Sequence, residues 1–190
     1  MILQRFIDEC APGVHINADE CVIQKYATLL PPHIIELWTR YGFGFYGTNG
    51  LQVINPDIYL KNLWGWLGQE ENYNRIPIAL SAFGTIFYYR KLSGDDHDIS
   101  YINPHNSFSG VLSWDVGSFF NDLVLNRDVQ NELLDAALLS ELSTTAEALQ
   151  VGEIYSFFPA LRLGGAKEKA YVKKCDALVQ LDFLLQLLTL

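Results

Sequence analysis

The chain has 190 residues, enough for one domain or two small ones, and 49% of them are hydrophobic, with eleven Phe, ten Tyr and four Trp to fill a core. A net charge of −9 disfavours direct binding of phosphate backbones. No apolar run approaches the roughly 18 to 20 residues of a membrane-spanning helix, so neither nucleic acid nor membrane is an expected partner. Three cysteines, Cys10, Cys21 and Cys175, leave one over in any disulfide scheme and form no C-x-x-C pair, and MILQRFIDEC contains no apolar signal-peptide core; a cytoplasmic setting is expected.

Residues 1–30 mix helical signals with a polar turn around Pro12-Gly13. PPHIIELWTRY follows, in which two prolines open a helix and Ile34, Ile35, Leu37, Trp38 and Tyr41 recur at helical spacing. The next stretch, YGFGFYGTNG, places Gly42, Gly44 and Gly47 at the G-x-G-x-x-G spacing of a dinucleotide-binding turn. That turn needs a strand before its first glycine and a helix after its last, so that helix amides meet the pyrophosphate. Here a helix ends before it, and Leu51–Ile54 after it reads as a strand behind an Asn49-Gly50 turn. The expectation is that Gly42 caps the helix in a left-handed conformation, that Gly44 and Gly47 turn the chain into a sheet, and that no cofactor binds.

A second helix opens at Pro56 with Asn55 as its cap, buries Ile58, Tyr59, Leu63 and Trp66, and ends by Gly68. RIPIALSAFGTIFYYRKL supplies two strands, Ile76–Leu80 and Thr85–Arg90, joined by a glycine turn. ISYINP and VLSWD read as two more beyond the loop SGDDHD. From Gly117 the spacing becomes helical, with two or three helices up to Leu149. GEIYSFFP reads as a strand breaking at Pro159, residues 170–174 alternate, and Asp176 caps a last helix in DALVQLDFLLQLLTL. The expected fold class is α+β: a twisted, largely antiparallel sheet of about five or six strands with flanking helices and a helical C-terminal half.

Charge is distributed unevenly along this plan. Residues 1–94 carry eight acids and seven bases, residues 95–153 eleven acids and only Arg127, and residues 154–190 three acids and five bases. The middle segment therefore carries −10, which suits either a solvated face that keeps the protein soluble or a surface that attracts a basic protein.

Catalytic and metal chemistry are weakly supported. DDHD, Asp95–Asp98, offers metal donors but has no second ligand pair near it in sequence, and Cys10, His15 and Cys21 match no zinc spacing. There is no G-x-S-x-G and no G-x-x-x-x-G-K-[ST], and Gly164-Gly165 before Lys167 reads as a loop before a strand. No catalytic, cofactor-binding or metal-binding residue is assigned.

The order of motifs carries more than any one of them. LPPHIIELWTRYGFG, NGLQVINPDIYLKNLWGWL and IPIALSAFGTIFYYR resemble the GAD-like domain family across roughly residues 1–100. SWDVGSFFNDL, EIYSFFPALRLGG and DALVQLDFLLQLL resemble the C-terminal domain of type VI secretion immunity proteins. The chain divides accordingly into residues 1–112 and 113–190, with a core that can run on between them. The resemblance implies a non-enzymatic cytoplasmic immunity protein that neutralises an antibacterial toxin by protein–protein contact, a DNase with a basic cleft. The alternative is a regulatory scaffold that binds host proteins. Oligomeric state is not readable.

For the partner surface, the expected residues are the loop acids Asp95, Asp96, Asp98 and Asp115, since loops project into concave clefts where helical faces cover only the rim. Asp122, Asp128, Glu132 and Asp135 are expected on outward helix faces. Trp64, one position off the stripe of Tyr59, Leu63 and Trp66, is the aromatic candidate beside the acids, with a core position as its other reading.

Overall fold

The computed structural model describes residues 2–94, 96–144 and 146–188. In chain order the elements begin with α1 (Gln4–Glu9), β1 (Pro12–Ile16), α2 (Glu20–Tyr26), α3 (Pro32–Tyr41), β2 (Phe43–Tyr46), β3 (Leu51–Val53) and α4 (Pro56–Trp66). There follow β4 (Arg75–Ser81), β5 (Ile86–Lys91), β6 (His97–Asn103), β7 (Phe108–Ser113), the single turn α5 (Val116–Ser118) and a π-helical turn over Phe119–Leu123. The remainder comprises α6 (Arg127–Leu133), α7 (Ala136–Leu142), β8 (Glu153–Phe157), β9 (Val172–Asp176) and α8 (Ala177–Gln186).

Strands β1 to β7 form one antiparallel meander in sequence order, and β8–β9 is a separate antiparallel ribbon. The fold is thus α+β with a seven-stranded main sheet, longer than the sequence suggested. Two strands are additional. β1 begins at Pro12-Gly13, where a turn was expected, and β2 lies inside the glycine corner.

Glycine is required there for a reason other than a helix cap. Gly42 has φ 74 and ψ −163, so φ is positive but the residue is not left-handed helical, which corrects the sequence expectation. A Cβ on Gly42 would lie 2.1 Å from the Ile16 carbonyl oxygen, and one on Gly44 2.2 Å from that of Val14. The two glycines allow the backbone of β1 to lie close against Gly42 and its antiparallel neighbour β2. Gly47 leads through a turn into β3 rather than into a helix.

Helix ends follow their sequence signals. Asn55 Oδ1 accepts from the Asp57 amide at 3.0 Å, and Asp176 Oδ1 from the Val179 amide at 2.9 Å. Asp135 departs from expectation: it precedes α7 at φ 54 and pairs with Lys167 instead of lying on an outward helix face.

Strand alternation sorts the β5 side chains into two of the three hydrophobic clusters. On β5, Phe87 and Tyr89 join a cluster with Phe6, Tyr26, Trp38 and Phe119, whereas Ile86 and Tyr88 join one with Tyr59, Leu63, Ile154 and Leu181. The second cluster draws on both halves of the chain. Buried Gln52 ties them further, accepting from the Gly152 amide at 2.7 Å and donating to the Glu153 carbonyl at 3.2 Å. Asn121 does the same at the N-terminus, accepting from the Phe6 amide and donating to the Ile2 carbonyl.

Candidate interaction surface

β6 and β7 lie at one side of the main sheet, and β7 is one of its two edge strands. Two of the four expected acids, Asp96 between β5 and β6 and Asp115 at the β7–α5 junction, lie in the connections that flank β6 and β7. Asp95 lies outside the described residues.

Asp96 is exposed, and its carboxylate makes no ion pair among the described residues. Asp98 is placed differently from its expected loop position. It sits within β6 at 0% exposure, accepts from Arg90 Nε at 3.1 and 3.0 Å and from Arg90 Nη2, and also accepts from Ser100 Oγ at 2.7 Å. A buried carboxylate is tolerated when its lone pairs are filled in this way. The pairing raises the Arg90 pKa, so the guanidinium is held charged against the sheet. Asp98 therefore pins β5 to β6 and does not present a charge to solvent.

Asp115 caps α5, accepting from the Ser118 amide at 2.6 Å. Desolvation pushes its pKa upward, but hydrogen bonds from Ser118 and Gly117 outweigh it and leave the carboxyl below its ordinary value. Trp64 is 7% exposed; its Nε1 donates to the Asn72 and Arg75 carbonyls at 3.0 and 3.2 Å, and its ring meets Tyr73 edge-on. Its core reading is the one the structure shows. Of the helical acids, Asp122 pairs with Arg5.

The aromatic that does stand in these connections is Trp114, the residue after β7, at 70% exposure. It was passed over in the sequence because VLSWD reads as a strand. The flanking Ser113 and Asp115, both turn and cap formers, are the signal that the strand has ended before it. Trp114, Leu92, Asp96 and His97 bound a surface cavity of 360 Å³. Phe108 and Val111 are also exposed along β7, which contains neither Lys nor Pro, the usual guards of an edge strand.

Two other surface cavities differ in chemistry. One of 360 Å³ lies between the glycine corner and the α7 region, near Gly47, Gly50, Leu139 and Tyr155, and among the described residues no charged side chain lines it. The other is lined by both signs of charge, Asp135, Glu141 and Glu168 with Lys167 and Lys169, and Asp135 pairs with Lys167. Among the described residues no three His, Cys, Asp or Glu side chains converge to hold a metal, and no helix is long and apolar enough to cross a membrane.

The fold is shared with the crystal structure of Atu4351 from Agrobacterium tumefaciens, with a TM-score of 0.73 at 19% identity over 96% of this chain and 88% of that one. No curated protein matches the chain. Residues 114–188 match the C-terminal domain of the type VI secretion system immunity protein Tdi1, and residues 2–103 match the GAD-like domain. The chain belongs to the GAD-like domain family, joined here to the C-terminal domain of a type VI secretion immunity protein.

Proposed function

We propose that the protein binds and neutralises a cognate type VI secretion toxin by protein–protein contact in the cytoplasm, and that the toxin is a DNase with a basic cleft. The observation that carries this reading is the match of residues 114–188 to the immunity-protein family. The charge distribution supports the toxin class. A nuclease cleft must attract phosphate, and the −10 of residues 95–153 is complementary to such a surface. Inhibition of this kind needs occupancy of the cleft and no chemistry by the inhibitor.

The test is co-expression with the toxin encoded beside the gene. Cells should retain intact chromosomal DNA, and the two proteins should co-elute from a sizing column. Unchanged killing with no complex would remove the proposal. Protection by co-expression, where cells with the toxin alone keep intact DNA but lose some other cellular component, would retain immunity and discard the DNase.

A further inference from the structure

We propose that the cavity bounded by Leu92, Asp96, His97 and Trp114 receives an arginine or lysine side chain of the cognate toxin, Trp114 being the aromatic anchor of the interface. This deepens the immunity reading and rests on it.

Trp114 is the starting point. At 70% exposure it leaves most of a large apolar ring in water, whereas Trp38 and Trp64 are buried and Trp66 half-buried. Nothing in the hydrophobic clusters uses it. An exposed tryptophan beside a cavity on an unguarded strand edge is the type of residue that dominates binding energy. The walls specify the occupant. The face of an indole attracts a cation, Leu92 offers an apolar surface for an alkyl stem, and the Asp96 carboxylate supplies an acceptor.

The protein's own cations leave that acceptor open. Arg90, on the adjacent strand, is committed to Asp98. Lys91 is in register with His97 and makes no ion pair with Asp96. The His97 ring leans on Tyr89 at 5.2 Å between centroids. Asp115, the residue after Trp114, is held by the Ser118 amide at 2.6 Å. Among the described residues, the apolar cavity at the glycine corner has no charge to match a basic partner, and the cavity at Lys167 has no aromatic side chain in its lining and carries two lysines of its own. The Trp114 cavity combines an aromatic face with an acid that makes no ion pair among the described residues.

The experiment uses the full chain and the purified toxin encoded beside its gene, made catalytically inactive, with affinity measured at low and high salt. Trp114→Ala should weaken binding about 30-fold, the roughly 2 kcal/mol of a hot-spot truncation at 1.4 kcal/mol per decade. Trp114→Phe should lose less. Asp96→Asn should slow association and reduce its salt dependence, and none of the three should lower the thermal midpoint. If the wild type binds and Trp114→Ala binds equally well, the site is wrong while the immunity reading stands. If Trp114→Ala weakens binding but Asp96→Asn changes neither rate nor salt dependence, the occupant is not a cation and the proposal falls. Self-association of the wild type that Trp114→Ala abolishes would assign the surface to a second copy and overturn it. Failure of the wild type to bind or protect removes the immunity reading and this site together.

Discussion

Gly42 and Gly68 show how little a positive φ alone says about a residue. Both have it, at 74° and 60°, but a Cβ on Gly42 would meet backbone at 2.1 Å and one on Gly68 would meet nothing within 4 Å. Gly68→Ala should therefore cost only about 1 kcal/mol, the strain of the conformation. Gly42→Ala should cost about 3 kcal/mol or more, because β1 must also move off β2. Equal urea midpoints for the two variants would show that the approach of β1 to Gly42 is not tight. His105 makes a different residue-scale point. Its Nε2 donates to the Phe83 carbonyl at 2.9 Å, while its buried Nδ1 has no partner among the described residues. Burial holds its pKa below the ordinary 6.5; the hydrogen bond to Phe83 and the charge of Asp135 oppose this, and Lys167 and Arg162 reinforce it. The unfolded chain thus binds the proton first as pH falls. Stability is complete above about 6.5 and declines below it, by at most about 1.4 kcal/mol per pH unit, until the folded ring protonates. His105→Gln should flatten that part of the thermal-midpoint profile. Identical pH slopes in the two proteins would exclude His105 as its source.

The β5–β6 hairpin separates two acids that look alike in sequence. Asp98→Asn should destabilise the fold by about 2 to 4 kcal/mol, since Arg90 is only partly exposed and loses the partner that compensates its desolvation. Asp96→Asn should leave stability within about 0.5 kcal/mol of wild type. Chemical denaturation distinguishes them, and equal stabilities would mean that the pair contributes nothing to the sheet. The distinction was hidden in DDHD because a run of polar residues after glycine reads as loop, whereas the feature that buries Asp98 is Arg90, eight residues earlier and across a strand pair. Helices α3 and α4 were legible because their start signals are local: Pro32 at the first position of one, Asn55 capping the other. β1 was not legible, since four of its five residues are exposed and no apolar alternation marks it. β2 contains a glycine that removes one side chain from the pattern, and only its tight contact with β1 explains that glycine. In the same way the position of Trp64 depends on Asn72 and Arg75, whose carbonyls fold back onto it, so spacing along the helix alone did not decide its exposure.

At the scale of the molecule, two family segments meet in one interior. Residues 2–103 and 114–188 are matched separately, yet Leu80, Ile86 and Tyr88 from the first pack with Ile154, Ala177 and Leu181 from the second. Tyr155 donates its amide to the Ala82 carbonyl at 2.7 Å, so the β8–β9 ribbon is hydrogen-bonded to the β4–β5 connection as well as packed on it. Each fully buried Leu or Ile contributes roughly 1.5 to 3 kcal/mol, against a total stability of about 5 to 15 kcal/mol for a typical domain. Loss of three or four such contacts removes most of that margin. The two segments should therefore unfold together. In urea, tryptophan fluorescence reports on residues 38 to 114, and hydrogen exchange in α8 reports on the far end; both should give the same free energy of opening. A fragment ending at residue 112 should expose Ile86 and Tyr88, bind hydrophobic dyes and lack a cooperative transition. Two resolved transitions in the full chain, or a fragment of residues 1–112 that melts cooperatively at the same midpoint, would show that the GAD-like unit folds alone and that the shared cluster is an interface between two independent domains.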